Sequence, residues 1–72
     1  MEKQGNKIYK VIELIGSSDT SWEDAAKSAI GKASESLEDL RIGEVTKMDM
    51  NIDNGKIIEY RVKLKVSFKY QS

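Results

Sequence analysis

The last third of the chain limits its fold more than any other stretch. From Ile58 to Tyr70 apolar and polar residues alternate without a break. Ile58, Tyr60, Val62, Leu64, Val66, Phe68 and Tyr70 fall on one side, and Glu59, Arg61, Lys63, Lys65, Ser67 and Lys69 on the other. A period of two carried by β-branched and aromatic residues is the pattern of a half-buried strand. At ~3.3 Å per residue the strand would run roughly 43 Å. One short helix cannot cover that length, so the strand bends around something or is covered in part by another subunit.

Immediately upstream stands Asp53-Asn54-Gly55-Lys56. Asn-Gly between two alternating runs signals a tight hairpin, because both central residues of a type I′ turn need positive φ. The partner strand is expected from Ile42 to Asp53. Its alternation slips: Ile42 and Glu44 share a parity with Met48, Met50 and Ile52, while Val45 lies on the other. A bulge or strong bend near Val45 to Lys47 accounts for the slip.

The first half supplies a strand and a helix. Lys7 to Ile15 is rich in β-formers, with apolar residues on both faces near its end, where both faces are expected to be covered. Gly16 is expected to end it, and Met1 to Asn6 reads as a polar, frayed tail. Thr20 with Glu23, or Ser21 with Asp24, forms a capping-box pattern, with Thr20 the favoured N-cap. The helix that follows, to about Ser36 or Leu40, carries an apolar stripe of Trp22, Ala25, Ala26, Ala29, Ile30, Ala33 and Leu37. Its alanines allow close approach to a sheet. Asp39 to Arg41 forms the turn out. The order is β-α-β-β: an α+β fold with a three-stranded antiparallel sheet packed around one helix, in a single domain over 1–72, ordered from about 7 to 70.

A 72-residue chain buries a small core and usually needs an additional stabiliser. With no Cys and no His, disulfides, thiol chemistry and His-based metal sites are excluded. What remains is self-association, or a hard cation held by oxygen ligands. Twelve Lys and Arg balance twelve Asp and Glu, so there is no basic excess of the kind that binds nucleic acid. No apolar run approaches the ~20 residues of a membrane span. The polar start, Met1 to Lys7, lacks the apolar core of a signal peptide, which makes the cytoplasm the expected location.

Candidate chemistry is sparse. Nucleophilic catalysis lacks a thiol and a His base, and no catalytic residue is assigned. The carboxylate pairs Glu23/Asp24 and Glu38/Asp39 sit at helix ends and read as caps and solvated charge. The basic side of the last strand, with Lys56, Arg61, Lys63, Lys65 and Lys69 against Glu59, suits either a phosphate or, more simply, solvent and neighbouring acids. Trp22 reads as a core or interface anchor rather than a stacking platform. Asp49, Asn51 and Asp53 alternate along one strand, an arrangement open to a hard cation.

Four segments carry a resemblance to the dodecins: Tyr9-Lys10-Val11-Ile12-Glu13-Leu14-Ile15-Gly16-Ser17-Ser18, Ser21-Trp22-Glu23-Asp24-Ala25-Ala26, Glu44-Val45, and Tyr60-Arg61-Val62-Lys63-Leu64-Lys65-Val66-Ser67-Phe68. The match covers roughly Lys7 to Tyr70. The resemblance implies a hollow homododecamer, helices outward and sheets inward, that binds or stores flavin (FMN or riboflavin) or a related small molecule in inter-subunit pockets. It places the ligand against Arg41, Ile42, Gly43, Glu44 and Arg61. It also implies a stacking Trp at position 42 and a ring-binding Gln at position 61, where this chain has Ile and Arg. The chain is more similar to the branch that includes a calcium dodecin. The alternative is therefore a flavin-free shell with a structural role or a hard, calcium-like metal cation.

Overall fold

The computed structural model describes residues 7–69. The tail Met1 to Asn6 and the strand's final Tyr70 lie outside the described residues. Four elements follow in the expected order: β1 (Tyr9–Ser18), α1 (Trp22–Ala33), β2 (Leu40–Asp53) and β3 (Lys56–Lys69). They build one antiparallel sheet in the order β1-β3-β2, so the alternating strand is central.

β1 does not stop at Gly16; it continues two residues further, to Ser18. Gly16 pairs with Val62 and faces the helix, where any Cβ would come within 2.3 Å of the Ala25 carbonyl oxygen. The glycine is there for close packing of helix on sheet, not to end a strand.

The helix begins one residue later than Thr20 would place it. Ser21 is the N-cap, and its Oγ accepts a hydrogen bond from the Asp24 amide at 3.0 Å. Ser18 fixes this entry. Its hydroxyl donates to Asp24 Oδ2 at 2.7 Å and accepts from the Thr20 amide at 2.9 Å. Thr20 points its own hydroxyl at Asp19. The helix also ends early, at Ala33. Beyond it the amides of Glu35 and Ser36 bond three residues back, to Lys32 and Ala33, and the chain tightens into turns. Asp39, at φ 63°, then swings the chain into β2 two residues ahead of Ile42. A left-handed backbone is tolerated by Asp better than by most residues.

The hairpin forms as its sequence demands, with Asn54 and Gly55 at φ 54° and 76°. The register of β2 on β3 shifts between Val45 and Lys47, leaving Thr46 as an additional residue whose hydroxyl donates to the Lys63 carbonyl at 3.1 Å. The shift puts Gly43, Val45, Met48 and Met50 on the helix face, and Ile42, Glu44, Lys47 and Asp49 on the open face.

Ala25, Val62, Leu64 and Val66 form the core, with Ile12, Leu14, Trp22, Ala26, Ala29 and Leu40 packed against it. Each fully buried aliphatic side chain contributes about 1.5–3 kcal/mol. α1 lies mainly over β1 and β3. It leaves Val45 and Met48 of β2 exposed, together with Ile52, Ile57 and Ile58 at the hairpin tip. Ile15, expected to be covered, points to the open face and is exposed within the protomer. The molecule measures 62 × 21 × 14 Å, a small core with a long arm.

Candidate functional site

The face of the sheet turned away from the helix carries the chemistry, because the polar side of β3 runs down its middle. Pairing builds this face in rows. Ser67 lies between Val11 and Ile42, Lys65 between Glu13 and Glu44, Lys63 between Ile15 and Lys47, and Arg61 between Ser17 and Asp49. The side chain of Asn51 donates to Glu59 in the next row.

Of the residues singled out from sequence, Ile42 and Glu44 come together. With Val11, Lys65 and Ser67 they line a shallow groove of about 300 Å³ on the open face. Arg41 and Gly43 do not face it squarely. They border a smaller hollow of about 130 Å³ with Ile30, Leu40, Ile42 and Val66. Arg41 is held by Asp39, Nη2 to Oδ1 at 3.2 Å. Gly43 leaves room for Ile30, whose Cδ1 would stand 3.1 Å from a Cβ at that position.

Arg61 stands apart from these four. Its row is six residues along β3 from that of Ile42, roughly 20 Å at ~3.3 Å per residue. It borders a second groove, of about 180 Å³, with Ile15, Lys47, Asp49, Val62 and Lys63. Arg61 makes a two-pronged bond to Asp49, Nε to Oδ1 at 2.9 Å and Nη2 to Oδ2 at 3.3 Å. Hydrogen bonding from Arg61, helped by the charges of Arg61 and Lys47, holds the Asp49 carboxyl below its ordinary value of 3.8. The hydrogen bond to Asp49 likewise raises the pKa of Arg61.

Behind this ion pair, on the helix face, the indole of Trp22 donates from Nε1 to the Asp49 carbonyl at 2.9 Å. Its ring meets Tyr60 edge-on, with centroids 5.0 Å apart and planes at 74°. Trp22 is thus the anchor expected of it. The Asp49–Arg61 pair and the Lys47–Lys63 row escape a reading by parity, because register shifts on both sides of them, between Val45 and Lys47 and between Asn51 and Ile52, set their partners. Counting back evenly from the Asn54-Gly55 turn would set Asp49 against Tyr60; a second register shift, between Asn51 and Ile52, brings it opposite Arg61.

The dodecin family model matches residues 8–71, nearly the whole chain. This chain belongs to the dodecin family. Calcium dodecin from Mycobacterium tuberculosis is 50% identical over 62 residues, covering 86% of this chain and 87% of the relative. The dodecin of Thermus thermophilus is 34% identical over 65 residues, covering 90% and 94%. Among solved structures, the Streptomyces coelicolor dodecin superposes with a TM-score of 0.90 at 30% identity, over 96% of this chain and 99% of that one. A crystal structure of the Mycobacterium tuberculosis calcium dodecin, described as calcium chelating with a novel calcium-binding site, gives 0.79 at 51% identity, over 89% and 91%.

The residues of this dodecin fit a stacked flavin poorly. The groove at Ile42 has aliphatic and charged walls and no ring among its lining residues, so nothing there offers a π-face. Arg61 is committed to Asp49 and lies far from Ile42 within the protomer. Nor does a cation site assemble in one copy: among the described residues no three Asp or Glu converge. Of Asp49, Asn51 and Asp53, proposed from their alternation, the first two are engaged by Arg61 and Glu59. No described helix is long and apolar enough to cross a membrane.

Proposed function

We propose that this dodecin forms a homododecameric, non-enzymatic shell that holds a small ligand or a hard cation between its subunits, without stacking flavin. The observation that carries this reading is Ile42. It is 65% exposed on the open face, where the family resemblance calls for a stacking aromatic. An aliphatic side chain cannot replace a ring contact worth ~1 kcal/mol or more, and such a loss on both sides of a paired site weakens binding strongly.

A calcium-like cation is the ligand best supported, because the 50%-identical relative is a calcium dodecin. Carboxylates from more than one copy would hold it, since those of one protomer do not converge. Residues Arg41, Ile42, Gly43 and Glu44 line the inter-subunit pocket in this reading, and Arg61 reaches it from another copy. The small, Cys-free core supports assembly as the means of stabilisation, and a cytoplasmic location accords with it.

The test is a pair of titrations on the purified protein. Riboflavin and FMN fluorescence should stay unquenched at micromolar protein, whereas Ca²⁺ should bind by calorimetry and raise the Tm. Micromolar flavin quenching would overturn the reading.

A further inference from the structure

The groove around Arg61 has a feature that stability alone does not explain. Lys47 and Lys63 stand directly opposite each other across β2 and β3. Like charges in that position are destabilising. Among the described residues neither ammonium has a carboxylate within ion-pair distance. One row away the same strand behaves differently, with Lys65 flanked by Glu13 and Glu44.

The β2 bulge creates this pair. Without Thr46 as the additional residue, Thr46 would stand opposite Lys63, and Lys47 opposite Val62 on the helix face. Bulges re-aim side chains, and they cluster beside functional sites. Here the bulge turns Lys47 to the open face beside Lys63, and the Thr46 hydroxyl bonded to the Lys63 carbonyl pins it. Arg61 closes the groove below, with Asp49 occupying its Nε and Nη2 and leaving Nη1 free to donate. Ile15 gives one apolar wall.

We propose that Lys47, Lys63 and Arg61 form a binding site for a phosphate or phosphoester group. The groove's roughly 180 Å³ is about six times the ~30 Å³ that a water molecule takes up in the liquid, room enough for one such group. Two ammoniums and a guanidinium edge match tetrahedral oxyanions, and charge-assisted bonds to them are the stronger kind. The anion removes the Lys47–Lys63 repulsion. Its two lysines come from one protomer and belong to no inter-subunit pocket proposed above; Arg61 is the one residue the two sites share, so the lysine variants test this site apart from the cation.

Calorimetry with inorganic pyrophosphate at low ionic strength tests this, on Lys47→Gln, Lys63→Gln, the double variant and Lys27→Gln as a control on the helix. Wild type and Lys27→Gln should bind alike. Each single variant should lose about tenfold in affinity, the double variant more, with unchanged circular dichroism. No binding by wild type, or equal binding by the double variant, would overturn the proposal. The former is also the outcome if a carboxylate of another copy fills the groove.

Discussion

The two halves of this molecule treat apolar surface in opposite ways. Where α1 lies over β1 and β3, side chains are used up: Leu64 is 1% exposed, and Ala25 is fully buried. Along β2 and the hairpin tip the same residue types stay in the open, with Ile52 at 64% and Ile58 at 54%. The strands of the arm pair only with each other beyond Tyr60, β2 being an edge strand, and among the described residues nothing covers these side chains. The covered half holds the fold, and the arm leaves apolar surface for the proposed shell to cover. A family of assembling proteins is where such a division is expected.

If that division is right, substitutions in the covered half should cost stability first. Leu64→Ala should lose about 2–5 kcal/mol in urea unfolding, enough to unfold much of a small domain. Gly16→Ala forces a methyl to 2.3 Å from the Ala25 carbonyl oxygen, so helix or strand must move. A loss of about 1–3 kcal/mol is expected, whereas a neutral result would show the helix free to lift. Ser21→Ala removes the cap on Asp24 and should cost ~1 kcal/mol, with Thr20→Ala costing less, a pairing that separates the two candidate caps.

The smallest effect belongs to the open face. Asp49 faces Arg61 and Lys47, with Lys63 and Glu59 nearby, and its carboxyl titrates low. A carboxylate with a depressed folded pKa adds stability above its unfolded value, lost as pH falls through the folded one. Asp49→Asn should therefore lower the Tm slightly at neutral pH, and the gap to wild type should close below about pH 4. A gap that persists in acid would assign the loss to packing, not charge.

Most of the fold can be read from residues. Unbroken alternation names the central strand, Asn54-Gly55 names the turn, and the parity slip before Met48 locates the bulge. Three local details resist, each for a tertiary reason. Gly16 looks like a stop until a helix carbonyl is seen above it. Thr20 is the favoured cap until Ser18 fixes the loop and leaves the cap to Ser21. Helical periodicity continues through Leu37, but the chain leaves the helix after Ala33, where serines and a left-handed Asp39 redirect it. The site is less legible, because contacts between rows depend on register. Ile42 and Arg61 look like one pocket in a family frame, yet they belong to separate grooves in one protomer.

The decisive measurement is the native mass, by light scattering, of wild type and an Ile52→Ser/Ile58→Ser variant with matching circular dichroism. A dodecamer is expected for wild type and a much smaller species for the variant. A monomeric wild type, or a variant that still forms the full shell, would contradict this expectation.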